Sequence, residues 1–280
     1  MLLTSLETAL RLEETDKLHI TRQIEACAQL FPDHKSFTVP IGNGAAGLTL
    51  PSLGQKLNRI NGYGMGVTVS EKDLARVEDL FTRNGLETGI SLCSLADPSA
   101  VEVLKSRGYQ VTGFLNSYAR ALTDEDLEEV NVEGVSVIRL STDRAQEFTP
   151  CSVSGYRDGG RPELLLETVA NTAVLRTDTT LYIATVEGKT AGSATLALIE
   201  TSKGGVAHLC IDSTLPEFRG RGIQTALLKA RLADARRAGY ELASITARPG
   251  NGGSCRNIER AGFSLAYTKT RFARARKCKP

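Results

Sequence analysis

Pro216-Glu217-Phe218-Arg219-Gly220-Arg221-Gly222-Ile223-Gln224-Thr225-Ala226-Leu227-Leu228 is the stretch around which the rest of the chain is organised. It follows an apolar run, Val206 to Ile211, that reads as a strand, and it opens a helix running to about Ala238. Apolar residues at 223, 226, 227, 230 and 233 recur at helical spacing, and Gly239 stands where a left-handed helix stop is expected. Two glycines between strand and helix let the backbone come close to a ligand, and the first helix amides point outward without internal partners. Together with the positive end of the helix dipole and two arginines, that geometry suits a phosphate. The glycines alone fit a tight strand-to-helix turn equally well.

The 280-residue chain has room for one large or two ordinary domains. With 41% hydrophobic and 24% charged residues it has the composition of a soluble globular protein. A net charge of +2 is too small to point to nucleic acid or a membrane surface as a general partner, and no apolar run reaches membrane-spanning length. The start, Met1-Leu2-Leu3-Thr4, lacks the basic region and apolar core of a secretory signal, so a cytoplasmic location is expected. Six cysteines are scattered without a Cys-x-x-Cys pair, and the three histidines lack the spacing of metal ligands. Reduced, packed thiols and no metal are expected.

Residues 5–30 read as one or two helices, followed by a Gly- and Pro-rich loop from Pro32 to Gly54. A strand near Leu57–Asn61 leads into Gly62-Tyr63-Gly64-Met65-Gly66, a cluster without basic residues that reads as a turn or bulge. Ser70 is the expected N-cap of a helix through Arg83. From there the sequence repeats itself. Arg83-x-Gly85-x-Glu87, Arg107-Gly108-Tyr109 and Ala119-Arg120-Ala121 are matched by Arg237-x-Gly239-x-Glu241, Ala261-Gly262-Phe263 and Ala273-Arg274-Ala275. Each pair is offset by the same 154 residues (239 − 85 = 154), which argues for two copies of one helix–strand–helix–strand unit. At that offset Arg219–Gln224 falls on Met65–Ser70, where the glycine loop is missing. The acidic run Thr123–Glu129 between the copies reads as a solvated linker. The basic tail from Lys269 to Lys279 reads as solvated or as a partner for a phosphate.

Arg219-x-x-Gly222-x-Gln224 resembles the Arg/Gln-x-x-Gly-x-Gly/Ala signature of the GNAT acyltransferase superfamily, with Gln224 departing from the usual small residue. Leu181–Ala194 is similar to that superfamily's hairpin of strands two and three, and Asn251–Phe263 to its second cofactor-side motif. The resemblance covers about residues 135–272. It implies an α/β (α+β) protein of two GNAT-like units, each a mixed, mostly antiparallel sheet flanked by helices. The expected division is a degenerate unit over 1–122, a linker over 123–134 and an acetyltransferase domain over 135–280.

The resemblance further implies acetyl-CoA as acyl donor. Its pyrophosphate would rest on Arg219, Gly220, Arg221, Gly222, Ile223, Gln224 and Thr225, and its arm would run along the end of the strand at Ser213, Thr214 and Leu215. Asn251, Ser254 and Asn257 are candidates to contact the arm or to cap their own helix. Acyl transfer from a thioester needs a placed amine, a base and a proton for the leaving thiolate. His208 and Asp212 are the candidate bases, sharing a strand face with Cys210 by alternation. Ile258 stands where many members carry a tyrosine acid, and Tyr267 is the candidate substitute. Tyr156, Arg157 and Asp158 are candidates for the acceptor pocket. The expected function is acetyl transfer to an amine, more readily a small molecule than a protein tail. The alternative is a non-catalytic acyl-CoA-binding regulator. Low aromatic content argues against nucleic acid, and monomer or homodimer stays open.

Overall fold

The computed structural model describes residues 4–128 and 132–274. Helix α1, Leu6–Leu30, is one continuous element whose Ser5 side chain accepts from the Thr8 amide at 3.1 Å. Ile20, Ile24 and Cys27 line its buried side. Strands β1 (Phe37–Ile41) and β2 (Gly44–Leu48) pair as a hairpin in the region expected to be loop. Its two turn residues, Gly42 and Asn43, both have positive φ (50° and 62°), the conformation that matches the twist of a two-residue hairpin. Then follow α2 (Gly54–Leu57), β3 (Arg59–Asn61), α3 (Glu71–Arg83), β4 (Gly89–Cys93), α4 (Pro98–Ser106) and β5 (Gln110–Ala121).

The second half begins with β6 (Val135–Arg139), α5 (Phe148–Tyr156) and α6 (Glu163–Leu175). It continues through β7 (Thr179–Val186), β8 (Lys189–Ile199), β9 (Val206–Thr214), α7 (Ile223–Arg237), β10 (Leu242–Ala247), α8 (Gly252–Arg260) and β11 (Ser264–Ala273). The offset of 154 holds element by element: α4 maps onto α8 end to end, and the start of β5 maps onto the start of β11 (264 − 110 = 154).

Among the described residues, 4–117, 247–249 and 265–274 form one compact unit, and 118–128, 132–246 and 250–264 form the other. In the first, β1, β2 and β3 are antiparallel, β3 and β4 parallel, and β11 joins antiparallel to β4. Its core gathers Leu74, Val77 and Phe81 of α3 with Ile60, Ile90 and Leu104. In the second, β6 to β9 form an antiparallel meander and β10 joins parallel to β9. Phe148, Ala170, Ala173 and Leu181 pack under α5 and α6. In each unit the strand pairing is mixed and mostly antiparallel, as expected.

The acidic run after β5 is not a free linker. Thr123 and Asp126 form a capping box, Asp126 also accepts from Arg120 at 2.6 Å, and Asp124 accepts from Arg236 of α7 at 2.8 Å. Basic residues of β11, and Arg274 just after it, are likewise engaged within the first unit. Lys269, 1% exposed in its side chain, is paired with Glu13 at 2.7 Å and with Asp16, while Arg274 pairs with Glu78. Arg276, Lys277 and Lys279 lie outside the described residues.

Candidate functional site

Strand β9 carries the core of the second unit up to Leu209 and then breaks its own alternation. Opposite β8, Thr195 pairs with Cys210 but Ser193 pairs with Ser213, so β9 holds one extra residue between them. Ile211 takes φ +55° there, a β-bulge at a β-branched residue, with its side chain against the Phe148 cluster. The period-two argument that set Asp212 on the face of His208 and Cys210 therefore fails at this point. The bulge re-aims everything beyond it.

After β9, Pro216–Phe218 form one tight turn, and Gly220 and Gly222 both adopt left-handed φ of about 80° and 77°. Gly222 is the N-cap of α7, and the first intrahelical bond runs from the Ala226 amide to its carbonyl at 3.0 Å. No side chain among the described residues caps this end. The amides of Ile223, Gln224 and Thr225 thus face outward with no helical acceptor. The equivalent helix of the first unit is closed: Ser70 accepts from the Asp73 amide at 3.2 Å, and Glu71 and Asp73 place negative charge in the first turn. One helix end is open to an anion and the other is already satisfied.

The side chains around the open end are tied to neighbours. Arg219 grips Asp158 with both guanidinium nitrogens, at 2.5 and 3.1 Å, and also donates to the Gly155 carbonyl at 3.3 Å. Arg221 lies 5.7 Å from the centre of the Phe218 ring. Gln224, the departure from the small residue, accepts from Asn257 of α8 at 2.7 Å, joining the two helices. Asn251 caps α8 by accepting from the Ser254 amide at 3.4 Å. Ser213 shares a buried 2.8 Å hydrogen bond with Ser193, Thr214 pairs with Gly192, and the Leu215 amide donates to Ala191 at 2.9 Å.

The candidate bases are both engaged. His208 is buried, with Nδ1 2.9 Å from Ser244 Oγ on the neighbouring β10. Asp212 pairs with Arg231, a fully buried residue of α7 that also donates to Leu227 at 2.9 Å and Thr195 at 3.0 Å. Burial raises the Cys210 thiol, which sits 3.1 Å from Thr195 Oγ1. Tyr156 stands near Cys210 and Asp212, its phenol raised by burial and then by the Asp212 charge. Tyr267 belongs to the first unit, where its hydroxyl donates to Glu13 at 2.7 Å; burial and that carboxylate hold its proton firmly. Ile258 is fully buried on α8. Elsewhere burial pushes Cys27 and Cys151 up to about 11, which keeps them as thiols.

In the second unit, then, a mixed sheet feeds an uncapped helix through two left-handed glycines. Residues 142–263 match the model of the acetyltransferase (GNAT) family. Among curated proteins no match is found. The fold is similar to that of a GCN5-related N-acetyltransferase from Kribbella flavida, at TM-score 0.64 and 16% identity, over 93% of this chain and 96% of that one. A tandem GNAT protein from the clavulanic acid biosynthesis pathway is similar at TM-score 0.61 and 14% identity, over 82% and 78%. A GCN5-related N-acetyltransferase from Sphaerobacter thermophilus gives 0.53 and 17%, over 77% and 71%. The fold is thus shared with other chains, one of them described as a tandem GNAT protein. Among the described residues no helix is long and apolar enough to cross a membrane.

Proposed function

We propose that the second unit moves an acetyl or other short acyl group from its CoA thioester to the amine of a small molecule by direct attack. The observation that carries this reading is the open N-terminus of α7 behind Gly220 and Gly222. Three outward amides and the helix dipole offer a pyrophosphate hydrogen bonds and positive potential without any side chain having to be displaced from the cap. Ser213–Leu215 stand at the end of β9 just before this loop, and an extended acyl arm is proposed to run along them. The family of residues 142–263 supplies the reaction class.

The chemistry asked of the protein is modest. The thioester is already activated, so placement of an unprotonated amine near its carbonyl supplies most of the acceleration. At the bulge the register of β9 against β8 shifts, and the backbone there is the candidate to orient the acyl carbonyl. Asp212 is held by Arg231, and His208 by Ser244, so either would act on a proton through water rather than by direct contact. With Ile258 in the tyrosine position, the leaving thiolate takes its proton from solvent.

Calorimetric titration with acetyl-CoA, followed by thiol release against a panel of amines, tests the reading. Binding with turnover on any amine supports it. Tight binding without turnover across the panel would move the function to a non-catalytic acyl-CoA sensor. Absence of binding would remove the phosphate-loop assignment altogether.

A further inference from the structure

The arginine that opens the glycine loop is already holding an anion, and that anion belongs to the protein. Asp158 presents both carboxylate oxygens to Arg219, at 2.5 and 3.1 Å, in the two-pronged geometry that guanidinium groups also use for phosphate. The Arg219 side chain is 46% exposed and that of Asp158 53%, so the pair is formed in solvent reach and exchanges readily. Asp158 is followed by Gly159 and Gly160. Gly160 is left-handed, and a Cβ at either glycine would meet nothing within 4 Å. The segment from Arg157 to Pro162 therefore has room and backbone freedom to move, and it joins α5 to α6. Its other attachments are an exposed Arg157–Glu163 pair at 3.4 Å and Arg161 stacked 5.5 Å from Tyr156.

We propose that Asp158 is a built-in substitute for the donor's phosphate: it occupies Arg219 until the donor arrives and is then released, freeing the 157–162 segment for the acceptor. This rests on the acyl-CoA reading of the α7 loop and adds to it an internal ion pair that the donor must displace. The pyrophosphate carries more charge than one carboxylate and also meets the open α7 amides, so it displaces Asp158 from the guanidinium. Tyr156, beside Cys210 and Asp212 at the bulge, sits at the root of the released segment, which couples the exchange to the reacting end of the site. No bond is made or broken in this step. One ion pair is traded for another.

Two measurements on the full chain decide it. Calorimetry with acetyl-CoA compares the wild type, Asp158→Asn, and Glu147→Gln as a control for removing an exposed negative charge of the same unit. Asp158→Asn is expected to bind about two- to fivefold more tightly, the range of one exposed ion pair, with Glu147→Gln unchanged. Hydrogen exchange with and without saturating acetyl-CoA is expected to show faster exchange over 157–162 in the bound wild type and no such change in Asp158→Asn. Weaker or equal binding by Asp158→Asn, or protection of 157–162 on binding, would overturn the exchange and show the pair to be a fixed brace. If the wild type itself fails to bind acetyl-CoA, the donor reading falls and the inference with it, an outcome distinct from a wild type that binds and a variant that does not tighten.

Discussion

Gly222 combines a left-handed φ of +77° with a tight setting, for a Cβ there would lie 2.8 Å from Val132 Cγ1. Any side chain at this point meets backbone strain of about 1–2 kcal/mol, and an acidic one also faces the proposed anion site. Gly222→Asp is expected to stay folded and to lose acetyl-CoA binding below calorimetric detection; unchanged affinity in a folded variant would refute the loop assignment. Arg231 makes a second case at this scale. Its guanidinium, wholly buried, holds the Asp212 carboxylate and two carbonyls across α7, β8 and β9. Arg231→Met leaves Asp212 with no cation in a mostly buried place, and about 3–5 kcal/mol of stability is expected to go, read from urea unfolding. A loss below about 1 kcal/mol would mean that Asp212 finds another partner. The turn made by the loop glycines was legible because its left-handed conformation is a local matter. Arg231 was not: in Arg231-Leu232-Ala233-Asp234-Ala235-Arg236-Arg237 it reads as one more charge on a solvated helix, and only packing against β8 and β9 makes it interior.

At the level of elements, α3 and α7 hold equivalent places in the repeat and begin differently. Ser70 closes α3 with its own hydroxyl, while α7 begins on a glycine with no cap. Ser70→Ala should cost about 1 kcal/mol of stability, in keeping with loss of one N-cap, without altering acetyl-CoA affinity. A matching loss of affinity would show that the first unit's helix end takes part in donor binding. The caps, the helical periodicity and the 154-residue repeat were readable because each is written in neighbouring residues. The β1–β2 hairpin was missed although Gly42-Asn43 is a turn pair, since the strands beside it, Phe37–Ile41 and Gly44–Leu48, hold Pro40 and two glycines and show weak alternation. The bulge in β9 has no local mark at all. Ile211 is a residue that disfavours positive φ, and the register of β8 imposes it.

Across the whole chain, what the repeat could not reveal is where its last strand is used. By offset β11 is the counterpart of β5, yet β11 lies beside β4 in the first unit, and residues 118–121 of β5 belong to the second. Pairing of strands far apart in sequence leaves no local trace, so a boundary drawn at 122–135 captures the halves of the sequence and not this exchange of ends. The first unit binds its borrowed strand through charge. Glu78 on α3 accepts from Arg274 just after β11, from Arg107 at 2.9 Å and from Tyr109 at 3.1 Å. Burial alone would raise its carboxyl, but the two guanidiniums and the phenol outweigh it and hold the group below its ordinary value. A depressed carboxyl binds fewer protons folded than unfolded near that value, so its contribution is complete above the ordinary carboxylate range and is lost as pH falls through the folded value. Glu78→Gln should therefore lower Tm at neutral pH, with the gap to the wild type closing as the pH is taken below about 4. Thermal unfolding of both proteins across pH 3–7 reads this directly, and parallel curves would mean that Glu78 contributes packing rather than charge.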